Sequence, residues 1–185
     1  MKESQELLDY LTKVMTLDPL SGKVYWKARP EGNLKDRQWN GRFAGKEVGG
    51  KTKEGYLRTT ISWDGKMVAL LVHRIVWALG CGRWPEGDLD HKDQVKSNNA
   101  PGNLRPCTRS RNIANRTQVN SHGYKGVGYD RRVGNYFARI TSEGSTIYLG
   151  SAESAIVAAR LYDAAAVRYF GEFADLNFKQ EVCHD

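Results

Sequence analysis

Cysteine is scarce in this chain, and the three present, Cys81, Cys107 and Cys183, lie far apart with no C-x-x-C pair. An odd, scattered set excludes a disulfide framework and a zinc site built on cysteine pairs, and it fits a reducing compartment. Long apolar runs are also missing. The opening M-K-E-S-Q-E-L-L-D-Y-L lacks the apolar core of a signal peptide, and no stretch approaches a membrane span. The chain therefore reads as soluble and cytoplasmic. Acidic residues are outnumbered: 28 Lys and Arg against 21 Asp and Glu give a net charge of +7 and a pI near 9.3. That balance suits a polyanionic partner, bound with a strong dependence on salt, although a basic composition alone is common among soluble proteins. At 185 residues there is material for one ordinary domain or two small ones, each with a limited core.

Leu7, Leu8, Leu11 and Met15 recur at helical spacing and predict a short amphipathic helix over residues 3 to 15. From Leu20 to Leu71 the pattern is β, with a hairpin signal at Asp64-Gly65 between residues 57–63 and 66–70. Residues 72–79 predict a short helix stopped by Gly80 and Gly82. The polar stretch from Asn115 to Gly123 reads as a linker, which divides the chain into residues 1–118 and 119–185. Beyond it, strands at 126–130, 136–141 and 146–149 precede a helix from about Glu153 to Tyr169. The fold class expected is α+β.

The richest stretch is L-D-H-K-D-Q-V-K-S-N-N-A-P-G-N-L-R-P-C-T-R-S-R-N-I-A-N-R, from Leu89 to Arg116. It sets Asp90 beside His91, with Asn103 twelve positions after the histidine and Asn112 nine further on. A hard cation needs oxygen ligands, and a water nucleophile needs a base that titrates near neutral pH and is held in place. One carboxylate, one imidazole and two amides can fill those roles. Taken singly, each of these residues is more often structural, and loop asparagines usually serve turns. Their joint arrangement within one strand, loop, strand and helix is what carries weight.

These residues and spacings resemble the H-N-H nuclease motif, in the phage and intron homing-endonuclease variant whose last histidine is an asparagine. The resemblance implies a ββα-metal core: a strand ending at Asp90-His91, a crossing loop, a short second strand at Asn103–Pro106, and a helix from Arg109 to about Arg116 capped by Thr108. It implies Asp90 and Asn112 as metal ligands, His91 as general base, and Asn103 as the residue that accepts from the other ring nitrogen. The cofactor would be Mg2+, with Mn2+ an alternative, and Arg105, Arg109, Arg111 and Arg116 would contact phosphate. Val72-His73-Arg74 also resembles the segment that precedes the site in this subgroup. His73 reads as a buried, hydrogen-bonded histidine at a helix start in preference to a metal ligand. Asn98 and Asn99 match the family's polar loop and are assigned no chemistry, and nothing supports His122 or His184 as catalytic.

Residues 124–178 contain Y-K-G-V, Y-L-G, A-A-R-L-Y-D-A-A-A and a final L-N-F. These resemble the plant ethylene-response-factor (Apetala-two) DNA-binding domain, which implies a three-stranded antiparallel sheet packed on one helix. Alternation places Tyr136, Ala138 and Ile140 on one face and Phe137, Arg139 and Thr141 on the other. The small-residue stripe of Ala155, Ala158, Ala159, Tyr162, Ala165, Ala166 and Tyr169 would pack on the sheet. The opposite face, with Lys125, Arg131, Arg132, Arg139 and Tyr148, is the expected DNA surface. Gly128 stands where that family usually has Arg, so the plant target sequence is not inherited.

Together these readings point to a metal-dependent phosphodiester hydrolase acting on double-stranded DNA in a phage-infected bacterial host, as a monomer and without a membrane. Two rivals are a DNA-binding regulator with an inactive nuclease core and a phage packaging or host-takeover nuclease with a protein partner.

Overall fold

A computed structural model describes residues 3–30, 32–117 and 120–179. Cys183, His184 and part of the expected linker lie outside the described residues. The chain forms two compact units, residues 1–106 and 107–185. This division falls ahead of the expected one at 118. The cause is the short helix after residue 106, which packs into the second core through Ala114 and supplies backbone acceptors to Lys125.

In the first unit, α1 (Gln5–Val14) begins at Ser4, whose hydroxyl accepts from Leu7 N. Its apolar stripe buries Leu7, Leu8 and Leu11. Each such side chain withdrawn from water contributes roughly 1.5–3 kcal/mol. Strands β1 (Met15–Leu17) and β2 (Val24–Trp26) pair antiparallel. A second sheet orders β3 (Gly50–Lys51), β4 (Leu57–Trp63) and β5 (Lys66–Leu71), the last two joined by the Asp64–Gly65 turn with φ of 50° and 68°. These are the signs a two-residue type I′ hairpin requires. Helix α3 (Val72–Cys81) follows β5 directly and buries Val72, His73, Ile75, Val76 and Ala78. Arg74 on α3 clamps the start of the chain to the approach to the site. Its guanidinium donates to both carboxylate oxygens of Glu3 at 2.6 Å, and to the carbonyls of Gly87 at 2.8 Å and Pro85 at 3.2 Å.

One helix stands where the sequence pattern reads as β. Helix α2 (Leu34–Phe43) buries none of its residues, so it has no apolar stripe to reveal it. Its local signals are a cap at Asn33, which accepts from Asp36 N at 3.0 Å, and an Asn40 side chain bonded to both backbone groups of Arg29.

Two short strands, β6 (Asp88–His91) and β7 (Leu104–Cys107), complete this part of the chain and pair with each other. In the second unit, α4 (Arg109–Ala114) is capped by Thr108 as expected. Strands β8 (Val127–Asp130), β9 (Asn135–Ser142) and β10 (Ser145–Ala152) form an antiparallel sheet with β9 central, and α5 (Ala155–Phe170) packs on it. Ala158, Ala159, Tyr162 and Ala166 are buried on α5, whereas Tyr169 is exposed and Phe170 takes its place in the core. Among the described residues no disulfide forms, and no helix is long and apolar enough to cross a membrane.

Candidate active site

Strand β6 delivers Asp90 and His91 side by side. Leu89, Asp90 and His91 are all buried, so both faces of this strand are covered. Asp90 Oδ2 accepts from Arg105 Nε at 2.8 Å, with the two side chains 5% and 10% exposed. Arg105, expected to contact phosphate, therefore lies inside the unit on β7 and holds the carboxylate. Removing one member of a buried ion pair costs about 3–5 kcal/mol.

His91 Nε2 lies 3.0 Å from Asn99 Oδ1, and Asn99 is itself buried. An amide oxygen only accepts, so this contact places the ring proton on Nε2 and makes Nδ1 the basic nitrogen of the neutral ring. The sequence reading gave that orienting role to Asn103, and the structure corrects it. Asn103 sits in the short 3-10 turn Pro101–Asn103, ahead of β7 and not in it. Its Oδ1 accepts from Asp93 N at 3.1 Å, and its Nδ2 donates to Asp93 Oδ1 at 2.9 Å and to Asn98 O at 2.8 Å. Asn103 thus fastens the loop, while Asn99, eight positions after the histidine, holds the ring.

Asp93 is the hub of that loop. Besides Asn103, it accepts from Asn98 Nδ2 at 2.6 Å and Val95 N at 2.9 Å. Burial works against its charge, but the bonds from Asn98, Asn103 and Val95 outweigh it and hold the carboxyl below its ordinary range. Lys92 closes the far side, its N donating to Asn103 O and its Nζ to Gly102 O, both at 2.9 Å.

Two rings pack around the histidine. His73, at the start of α3, meets His91 edge to face at 5.2 Å between centroids, and Tyr56 lies 5.6 Å from His73 and 6.0 Å from His91. His73 is buried as expected, but the hydrogen bond expected for it is missing at Nδ1, which has no partner. Burial, helped by the neighbouring His91 and Arg74, pushes its pKa down to about 3, so the ring stays neutral.

Among the described residues, no group of three His, Cys, Asp or Glu side chains is placed to hold a metal ion. A cation at Asp90 would draw its remaining ligands from amide, water and phosphate oxygens, a donor set that suits a hard ion such as magnesium or manganese.

In the second unit, Asn112 lies on the first turn of α4, as the sequence predicts, with Arg109 and Arg111 exposed on the same helix and Arg116 exposed just beyond it. The Arg111 guanidinium sits 5.4 Å from the Phe173 ring. Alternation along β9 is as expected, with Ala138 and Ile140 buried and Arg139 and Thr141 outward. Arg139 pairs in register with Tyr148, which is 64% exposed, and Arg131 and Arg132 are exposed between β8 and β9. The Phe137 ring fills the space beside Gly128, where a Cβ would meet it at 2.3 Å. Lys125 is not part of this surface. Its side chain is 14% exposed, pairs with Asp175 at 3.8 Å and donates to the carbonyls of Ala114 and Arg116. Burial lowers its pKa against the pull of Asp175 and Asp163.

Residues 70–114 match the HNH endonuclease family. That span contains Asp90, His91, Asn99, Asn103 and Asn112. An HNH endonuclease of Acanthamoeba polyphaga mimivirus is 33% identical over 129 residues, 68% of this chain and 64% of that protein. An AP2-like ethylene-responsive transcription factor of Arabidopsis thaliana is 45% identical over 58 residues, 31% of this chain and 12% of the plant protein. A solved structure described as DNA binding and cleavage by the HNH homing endonuclease I-HmuI is similar at 31% identity and a TM-score of 0.38, covering 55% of this chain and 50% of that one. The chain spans under two thirds of each of these proteins, and only about an eighth of the plant factor.

Proposed function

We propose that this protein is a metal-dependent DNA endonuclease of the HNH homing type, hydrolysing phosphodiester bonds in double-stranded DNA. One observation carries the reading: within the segment that matches the HNH family, Asp90 and His91 are adjacent and buried, the first held by Arg105 and the second by Asn99. His91 Nδ1 takes a proton from the attacking water, and Asn99 fixes the tautomer that makes this possible. Asp90 is the proposed carboxylate ligand, and Asn112 the proposed amide ligand on the residue pattern alone. A bound magnesium or manganese ion would stabilise the charge that develops on phosphate and leaving oxygen.

The outward face of the β8–β10 sheet, with Arg139, Tyr148, Arg131 and Arg132, is the proposed target-binding surface of a C-terminal module similar to plant Apetala-two domains. Arg109, Arg111 and Arg116 are proposed phosphate contacts. The enzyme would act as a monomer in the cytoplasm of an infected host cell. Incubating supercoiled plasmid with the protein, with and without magnesium, tests the reading. Nicked or linear product that needs the metal and disappears in His91→Ala is expected. Intact plasmid under all conditions would favour the second reading, a DNA-binding regulator with a silent core, which draws on the likeness to plant transcription factors.

A further inference from the structure

The first unit contains a cleft of about 690 Å³ that has no part in the candidate active site. One wall is α2, the helix with no buried residue, and the other is β4, from which the exposed Arg58, Thr60 and Ser62 line the cleft together with the more buried Thr59 and Ile61. Its chemistry is unusual for a surface that only closes a fold. Trp39 from α2 meets Trp26 edge-on at 5.7 Å and Phe43 at 5.4 Å, and the Arg29 guanidinium lies 4.2 Å from the Trp39 ring centre. Arg29 is fixed by its two backbone bonds to Asn40, at 2.8 and 2.9 Å. Four cations line the cleft, Arg29, Arg42, Lys46 and Arg58; Arg29 pairs with Asp36 at 3.5 Å, and the one carboxylate of the lining, Glu47, pairs with Lys23 at 3.4 Å. The result is an aromatic floor with a cationic rim.

We propose that this cleft binds one unpaired nucleic-acid strand, with its phosphates on Arg42 and Arg58 and a base or sugar face against the Trp39–Phe43 surface. The proposal deepens the nuclease reading and rests on it. The aromatic rings decide the form of the ligand. Bases in a duplex are stacked inside the helix and reach such rings only when unpaired, whereas arginines alone would serve either form. A basic groove interleaved with aromatic side chains is the arrangement that tracks single strands without reading sequence. An enzyme that opens duplex near its cut would gain a place to hold the released strand.

All five tryptophans fall between residues 26 and 84, so tryptophan emission, excited beyond the tyrosine absorption band, comes from this unit alone. The full-length protein, kept metal-free with chelator, is titrated with oligothymidylate, and an oligothymidylate carrying 5-iododeoxyuridine is photocrosslinked and digested with trypsin. Quenching of tryptophan and a crosslink in the peptide Gln38–Arg42 are expected. Trp39→Ala should weaken binding about five- to 150-fold, the range of one base–aromatic stack. Should that variant fail to fold, Arg42→Ala combined with Arg58→Ala removes two exposed charges. The double variant should flatten the salt dependence by about 1.4 in log–log slope. Wild-type affinity and slope in the folded double variant, crosslinks confined to residues beyond 106, or equal competition by duplex would each overturn the proposal. Plasmid cleavage by the same preparation tests the nuclease reading separately, so the two can fail independently.

Discussion

Gly22 lies so close to Asn99 that a Cβ at position 22 would sit 2.0 Å from the Asn99 carbonyl oxygen. The turn before β2 therefore buttresses the residue that holds His91. Gly22 also has φ of +69°, a conformation other residues adopt with strain. Gly22→Ala should destabilise the first unit by more than about 1 kcal/mol, through strain and a displaced Asn99 backbone. The midpoint of urea unfolding checks this, and a midpoint equal to wild type would show that the loop gives way at no cost.

Asn99 itself allows a sharper test than truncation. As a positioning residue, Asn99→Ala should slow cleavage about 10–100-fold and leave DNA affinity unchanged. Asn99→Asp should keep the contact, because a carboxylate oxygen also accepts from Nε2, and should therefore retain more of the rate than Asn99→Ala. Equal losses in the two well-folded variants would separate Asn99 from the base.

Much of the site was legible because chemistry restricts residue type. Asp90, His91 and the Thr108 cap stand out as a string, and hydrophobic alternation locates β4, β5 and β9. Asn99 was not legible, since nothing local distinguishes it from Asn98 or Asn103; only the path of the loop decides which amide reaches the ring. Arg105 and Lys125 were misread for a related reason. A lone cation in a basic protein looks like a phosphate contact until a buried carboxylate or a set of carbonyls is found beside it. Helix α2 escaped notice because periodicity detects burial, and it buries nothing.

The division of the chain after Pro106 leads to a prediction about fragments. Residues 107–185 keep α4, with Ala114 in the second core and its carbonyl on Lys125 Nζ. A fragment starting at 119 would lose both and leave the half-buried Lys125 short of acceptors. Chemical denaturation should find the 107–185 fragment more stable by about 2 kcal/mol or more. Equal stability would place α4 outside that core.

His73 predicts an acid-sensitive first unit. Its pKa falls from about 6.5 in the unfolded chain to about 3 in the folded one. The unfolded state binds more protons in that window, so stability is complete above pH 6.5 and declines as the pH falls toward 3. At pH 5 the loss from this residue is about 2 kcal/mol. His73→Leu should remove one proton's worth of slope from a plot of unfolding free energy against pH between 6.5 and 4. An identical slope in the variant would mean that His73 titrates normally.

The outward face of β9 can be tested base by base. Arg139 is exposed, pairs in register with Tyr148, and lies 5.9 Å from the Phe137 ring, an arrangement that holds the guanidinium over the sheet. An arginine presented this way to a major groove most often reads guanine through two hydrogen bonds. If it does so here, Arg139→Ala should cost roughly 1–3 kcal/mol on the preferred duplex and relax preference at one base pair. A phosphate contact would weaken all sequences alike and lower the salt slope by about one charge. Binding curves for a selected and a scrambled duplex, each at several salt concentrations, distinguish the two. Unchanged affinity for both duplexes would take this face out of the DNA interface and return the search to Arg131 and Arg132, the exposed cations of the β8–β9 turn.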